Sequence, residues 1–303
     1  MDARLAALVD LLELERLEND LFRGASRDIG APQVFGGQVL GQALRAAYAT
    51  VAEERVVHSL HAYFLKRGDF NAPIVYFVDR SRDGHSFSSR RVTAIQHGAQ
   101  IFTLAASFQV PQSGVEHQLP MPQVPPPEAL AHRSLPTPEM LERLPDKLSQ
   151  FLRSERPFEF RQVDLDVLPT APAAGKAPLA PAAQPLQYFW IRAVDRLPDD
   201  DVLHRCLLAY VSDFHLLTTA TLPHERAFAG ARRLMASIDH AMWFHRPVRI
   251  DEWFLYANDS PSASGSRGFA RGSMFALDGT LFASTAQEGL VRLIPPGAAQ
   301  PEA

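Results

Sequence analysis

Asp213 stands in AYVSDFHLL, a carboxylate among aliphatic and aromatic neighbours, and such a group is costly to bury without partners. Two more polar residues interrupt apolar or small-residue strands in the same half of the chain: Ser237 in MASIDHAMWFH and Gln287 in STAQEGLVR. An acid, a hydroxyl and an amide in such settings are candidates for a reaction site. Other readings fit the same residues. Asp213 could cap a helix or serve as a buried hydrogen-bonding group. Asp239 and His240, beside Ser237, form another acid–base pair, although adjacent strand residues face opposite ways.

The remaining motifs exclude more than they assign. FGGQVLG at 35–41 has the wrong glycine spacing for a dinucleotide fingerprint and no Gly-Lys-Ser/Thr ending for a P-loop. It reads as a helix start. Its exposed N–H groups could polarise a carbonyl or hold an anion, or its glycines could serve only close helix–sheet contact. GHSFS at 84–88 lacks the second glycine of a nucleophile elbow and falls in a strand pattern. His58 and His61 lie three apart, and His240 and His245 five apart, so on strands each pair splits between faces. No acidic or thiolate cluster completes a metal site, and neither metal nor cofactor is expected. Cys206 falls inside a helical run, the setting of an inert buried thiol.

The elements that must position these residues come twice. HSLHAYFLKR at 58–67 is echoed by SIDHAMWFHR at 237–246, PIVYFV at 73–78 by WFLYA at 253–257, and residues 90–109 by 271–290. Leu5, Leu8, Val9 and Leu12 share one face of an opening helix, and residues 15–23 read as a first strand. The stretch 35–51 is a thin, alanine-rich helix, and a meander of four strands follows it. In the second half, strand character at 155–168 and 187–195 precedes a second long helical run, DDVLHRCLLAYVSDFHLLTTAT. Between the halves, residues 111–150 are too proline-rich for a sheet interior, and PTAPAAGKAPLAPAAQP reads as an exposed, mobile loop. The organisation is α+β: a first unit at 1–112, a linker at 113–154, a second unit at 155–294 and a tail at 295–303. The repeat sets Gly36–Gly37 in the slot of Asp213, and Ala106 roughly in that of Gln287. Polar groups in one copy only are what an unevenly retained site leaves behind.

Composition bounds the class. The 303 residues are 46% hydrophobic and 21% charged, as in globular proteins, and the net charge of −4 argues against nucleic-acid binding. A lone cysteine fits a reducing compartment. The N-terminus lacks the basic start and apolar core of a secretory signal, and GAAQPEA carries no retention or peroxisomal address. No run approaches the roughly 18 apolar residues of a membrane span. A cytoplasmic protein without stable membrane insertion is expected.

FGGQVLGQAL, HSLHAYFLKRGD, PIVYFVDRSRDGHSFSSRRVTAIQHG, ASFQ, SDFHLL, SIDHAMWFHRP and AQEGLVR resemble the signatures of the type II acyl-CoA thioesterases. The resemblance runs from about residue 15 to about residue 294, apart from the proline-rich middle. It implies a double hotdog, in which a curled antiparallel sheet wraps a central helix twice in one chain. It also implies hydrolysis of medium- to long-chain acyl-CoA to fatty acid and CoA, with Asp213, Ser237 and Gln287 activating the water. Backbone N–H groups at Gly36 and Gly37 would face the carbonyl oxygen across the pseudo-dimer, with His58 a second candidate in that cleft. Phe64, Tyr63, Met242, Trp243 and Phe244 are available for an acyl tunnel, and Arg90, Arg91, Arg267 and Arg271 for CoA phosphates. Exposed sheet edges make a homo-oligomer, dimer or tetramer, plausible. The rivals are a non-catalytic acyl-CoA-binding protein and a dehydratase-like enzyme. The latter would use a histidine paired with an acid, and the first helical slot holds no histidine.

Overall fold

The computed structural model describes residues 1–31, 33–130, 156–163, 184–224 and 232–294. The expected loop at 166–186 and tail at 295–303 fall largely or wholly outside these residues.

Helix α1 (Ala3–Leu12) opens on Asp2, whose side chain accepts from the Arg4 N–H, and buries Leu5, Leu8, Leu11 and Leu12. The single strand expected at 15–23 is instead a hairpin of β1 (Glu15–Glu18) and β2 (Leu21–Gly24), because Asp20 turns the chain with φ 60°. Helix α2 (Gly36–Tyr48) is buried almost all round, as its small residues allow. Its buried Gln42 donates to the carbonyls of Leu11 (2.6 Å) and Ala25 (2.9 Å) and accepts from the Tyr76 hydroxyl at 2.7 Å. Those bonds leave no orphan on a fully buried amide and tie α2 to α1 and the sheet. The meander follows as β3 (Val56–Phe64), β4 (Ile74–Asp83), β5 (Phe87–Gln96) and β6 (Ala99–Gln109). In the second half come β7 (Phe158–Gln162), β8 (Leu186–Ala193), α3 (Asp201–Ser212) and a 3-10 segment, Leu217–His224. Strands β9 (Arg232–Ser237), β10 (Asp239–Phe244), β11 (Phe254–Ser264), β12 (Arg267–Ala276) and β13 (Leu281–Ile294) complete the described chain.

All the described strands join one antiparallel sheet, in the order β1-β2-β4-β5-β6-β3-β10-β13-β12-β11-β8-β7, with β9 also on β13. The halves meet where β3 pairs with β10, and β6 and β13 flank that seam. The two halves share their irregularities. Val78 pairs with Val92 and Asn258 with Gly272, and a register shift follows in each hairpin, between Asp79 and Arg82 and between Asp259 and Ser262. Arg90 pairs with Ala106 and Ala270 with Gln287, with matching shifts after Ala94 and Met274. A bulge bends and twists a strand, so shared bulges mean shared curvature around the helix.

The seam corrects the repeat as read from sequence by one residue. Across it Leu60 faces Met242, His61 faces Ala241 and Ala62 faces His240, so the pairing is symmetric about the His61–Ala241 pair. The structural counterpart of His240 is therefore Leu60, and the match of His61 with His240 is a coincidence of sequence. One residue of slip reverses every side chain's face. His61 accordingly points outward and is exposed, whereas His240 points inward at 1% exposure.

The described part of the proline-rich crossing is extended, with a 3-10 turn at Pro127–Ala129. It lies on the outer face of the second half. Trp190 Nε1 donates to the Pro125 carbonyl, and Met121, Val124 and Leu130 cover Trp190, Trp253, Leu255 and Phe275. Prolines suit this path because it asks for no ladder of N–H donors.

Candidate active site

Helices α2 and α3 lie side by side in opposite directions, with Gly37 against Tyr210 and Gly41 against Cys206. The start of α2 thus meets the end of α3. A Cβ on Gly37 would collide with the Tyr210 carbonyl oxygen, so glycine is needed for that approach. Asp213 is the residue that ends α3, in αR geometry at φ −81°. The sequence comparison set Gly36–Gly37 in the slot of Asp213. The structure instead puts them at opposite ends of their helices and brings them together across the helix pair. A Cβ on Gly36 would stand 2.7 Å from Asp213 Oδ2 and 2.9 Å from the Phe64 ring.

Gln287 of β13 reaches this junction from the sheet. Its Nε2 donates to Asp213 Oδ1 at 2.8 Å and to Ser237 Oγ at 3.2 Å, so acid, amide and hydroxyl converge from α3, β13 and the end of β9. The Gly37 N–H donates to the same carboxylate. The amide orientation follows from this network, since a carboxylate can only accept. Gln287 is fully buried, and its Oε1 has no hydrogen-bond partner among the described residues.

Two effects oppose one another at Asp213. Burial raises its pKa, while the Gln287 and Gly37 donors lower it, and the α2 N-terminus also favours the anion. Burial wins, and the group rises from 3.8 to about 6. Asp213 still keeps a partly exposed edge. A carboxylate on the boundary of solvent, with a raised affinity for protons, is suited to take one from water near neutral pH. Phe35 and Phe214 pack beside it with ring centres 4.4 Å apart, and Tyr210 meets Phe35 edge-on.

The other residues singled out from sequence are dispersed. His58 does not reach the Asp213 junction. It lies at the far end of β3 from Phe64, with Nε2 2.8 Å from Ser107 Oγ and its ring against Phe87. Alternation along β3 and β10 turns Tyr63 and Trp243 to the outer face, at 53% and 37% exposure, so neither lines the interior. Met242 and Phe244 are buried in the core, and Phe64 reaches the junction. Arg90 is 2% exposed and internally bonded, Arg267 pairs with Glu288 and Arg271 with Asp259. Cys206 is buried, with its thiol pushed up to about 12. Among the described residues no cluster of histidine, cysteine and carboxylate side chains could hold a metal.

One buried neighbour gained no role from sequence. His240 places Nδ1 3.3 Å from Gln287 Nε2 and Nε2 2.9 Å from Ser212 Oγ. It lies on the inner face beside Gln287, a position that neither its pairing with Asp239 nor its spacing from His245 reveals in the sequence. The accidental match with His61 concealed that a histidine occurs here in one copy alone.

A carboxylate of raised pKa, an amide and a hydroxyl thus converge at one helix junction. A family model described as acyl-CoA thioesterase matches residues 173–290, and one described as acyl-CoA thioesterase N-terminal domain matches 25–109. Acyl-CoA thioesterase 2 of Haemophilus influenzae is 45% identical over 285 residues, covering 94% of this chain and 96% of its own length. The crystal structure of the acyl-CoA thioesterase II TesB2 from Mycobacterium marinum superposes with a TM-score of 0.77 at 43% identity, over 96% of this chain and 100% of that one. A protein from Alicyclobacillus acidocaldarius described as having a hot dog fold gives a TM-score of 0.71 at 20% identity over 94% of this chain and 98% of that one, a likeness of fold alone. The chain belongs to the acyl-CoA thioesterase family.

Proposed function

We propose that this acyl-CoA thioesterase splits its substrate by direct attack of a water held between Asp213, Ser237 and Gln287. The observation that carries the reading is the single amide nitrogen of Gln287 bridging Asp213 Oδ1 and Ser237 Oγ. A thioester carbonyl is more electrophilic than that of an oxygen ester, and the CoA thiolate leaves readily. No covalent acyl-enzyme is then required. Water oxygen attacks the carbonyl carbon and its proton passes to Asp213. The tetrahedral intermediate collapses with cleavage of the C–S bond, and the thiolate regains a proton as CoA leaves. Ser237 and Gln287 orient the water, and the positive end of α2 at Gly36–Gly37 offsets charge on the carbonyl oxygen.

A medium- to long-chain acyl group is the substrate in this reading, supported by the apolar side chains of Phe64, Met242 and Phe244 near the seam. The repeated strand–helix–meander with its matching bulges supports a double hotdog, two such units in one chain with one working site. A cytoplasmic homo-oligomer completes the proposal. It is supported by the lone cysteine and by Tyr63, Leu65, Phe77 and Trp243 exposed on the surface. No helix of the described residues is long and apolar enough to cross a membrane.

The test mixes purified protein with palmitoyl-CoA and a thiol reagent, beside the Asp213→Ala variant. Thiol release by the wild type and not by the variant supports the reading. Release unaffected by the substitution overturns the site, and tight binding without release points to an acyl-CoA-binding module.

A further inference from the structure

His240 is 1% exposed, and its two ring nitrogens meet different partners. On one side Nε2 lies 2.9 Å from Ser212 Oγ, and that hydroxyl donates its only proton to the Ala209 carbonyl at 2.9 Å. Ser212 can then only accept from the imidazole, so the proton of the ring sits on Nε2. On the other side Nδ1 carries a lone pair 3.3 Å from Gln287 Nε2. Burial keeps the ring neutral, pushing its pKa down to about 3. Gln287 Nε2 therefore has three acceptors, Asp213, Ser237 and His240 Nδ1, around its two protons. Turning the amide over would set its oxygen against a carboxylate and a nitrogen lone pair at once.

We propose that His240 is a positioning residue: held as its Nε2–H tautomer by Ser212 and the end of α3, it fixes the Gln287 amide with its N–H groups toward Asp213. The structure of the first half is consistent with this role. The counterpart of His240 there is Leu60, and that of Gln287 is Ala106, so the histidine occurs where there is an amide to orient and not elsewhere. The inference rests on Asp213 and Gln287 being the reaction centre, as proposed above.

Loss of the lone pair frees the amide and weakens its donation to Asp213, one of the two donors that hold that carboxylate down. The charged and titratable groups facing Asp213 otherwise are Tyr210 and Tyr256, both pushed above the ordinary tyrosine range and neutral in the working range. His240→Leu is therefore expected to lower kcat about 10-fold or more with KM within about twofold, and to move the acid limb of the rate profile to higher pH. His240→Asn, whose Oδ1 replaces Nδ1 as acceptor, should restore most of kcat and return the limb toward the wild-type position. Nitrogen NMR of ring-labelled histidine in the wild-type protein should find His240 as the Nε2–H tautomer, a readout independent of whether the variants fold.

His240→Leu with wild-type kcat and an unmoved limb would overturn the inference, as would an Asn variant no better than Leu or an Nδ1–H tautomer. A Gln287→Ala control separates the two levels. Full activity of that control sinks the reaction centre itself, whereas an impaired control beside an unimpaired His240→Leu sinks only the role of His240.

Discussion

The two ends of the antiparallel helix pair are built by corresponding strands, yet one is polar and the other apolar. Beneath the end of α3, the inward residues are His240, Asn258, Gly272, Thr285 and Gln287; their counterparts in the first half are Leu60, Val78, Val92, Leu104 and Ala106. At one position the polarity is reversed. Arg90 stands in the first half where the second has Ala270. Its guanidinium donates to the Thr50 carbonyl and hydroxyl at 2.9 Å each, to Asp83 at 2.7 Å and to the Ser89 and Arg82 carbonyls at 2.9 and 3.1 Å. The end of α2 is thus closed by a cation with no donor left for a ligand. The small Ala270 stands across from Gln287, which reaches Asp213 instead. With the site proposed above, the difference teaches that two corresponding corners have diverged, one closed by packing and the other left for the proposed chemistry.

This contrast can be broken experimentally. The largest effect is expected at Asp213: Asp213→Asn should lower kcat by about 10²–10⁴ while leaving acyl-CoA binding in place, measured as thiol release under saturating substrate. The same change should stabilise the fold. The folded-state pKa of about 6 lies above the ordinary 3.8, so the native state holds its proton longer than the unfolded chain. The ionised carboxylate therefore costs stability, a penalty that grows as pH rises from 3.8 to about 6 and reaches about 3 kcal/mol above it. Denaturant melts should show Asp213→Asn more stable than wild type at pH 7.5, with the gain fading as pH falls toward 4. A variant less stable than wild type at pH 7.5 would mean that the carboxylate is structural.

Next in size is the pH dependence of the wild type. With Asp213 as the proton acceptor, kcat/KM should fall about tenfold per unit below pH 6, whatever buffer is used. A flat profile down to pH 5 would remove Asp213 from that role. In the closed corner, Arg90→Leu should cost roughly 3 kcal/mol of stability by denaturant melt, since it orphans the buried Thr50 carbonyl. Its kcat per folded chain should stay within about twofold of wild type, because nothing it touches contacts Asp213. The smallest effect belongs to His58→Ala, for which wild-type turnover within about twofold is expected. A large loss would restore this residue to the cleft from which the structure separates it.

Much of this contrast was legible in the sequence, and the parts that were not have physical reasons. The repeat with its interposed helices gave the α+β architecture, because strand and helix periods differ and turn residues mark the breaks. Asp213, Ser237 and Gln287 stood out as polar groups in apolar settings, and the structure brings them within hydrogen-bond reach. Which end of a helix meets which is a matter of packing, so the repeat alone sets Gly36–Gly37 in the slot of Asp213, whereas the structure brings them against it across the helix pair. Register was invisible too. Matching His61 to His240 by eye hid a slip that only the seam pairing reveals, and with it the inward direction of His240. Arg90 reads in the sequence as available to a CoA phosphate because a motif does not tell whether an arginine's five donors find partners inside.

The most direct test of one working corner per chain is the binding stoichiometry of a non-hydrolysable thioether analogue of palmitoyl-CoA, measured by calorimetry on the wild-type protein. One molecule per chain is expected, with the same value for Asp213→Asn. Two molecules per chain of equal affinity would show that the corner closed by Arg90 still takes substrate, and would contradict the division of labour between the halves.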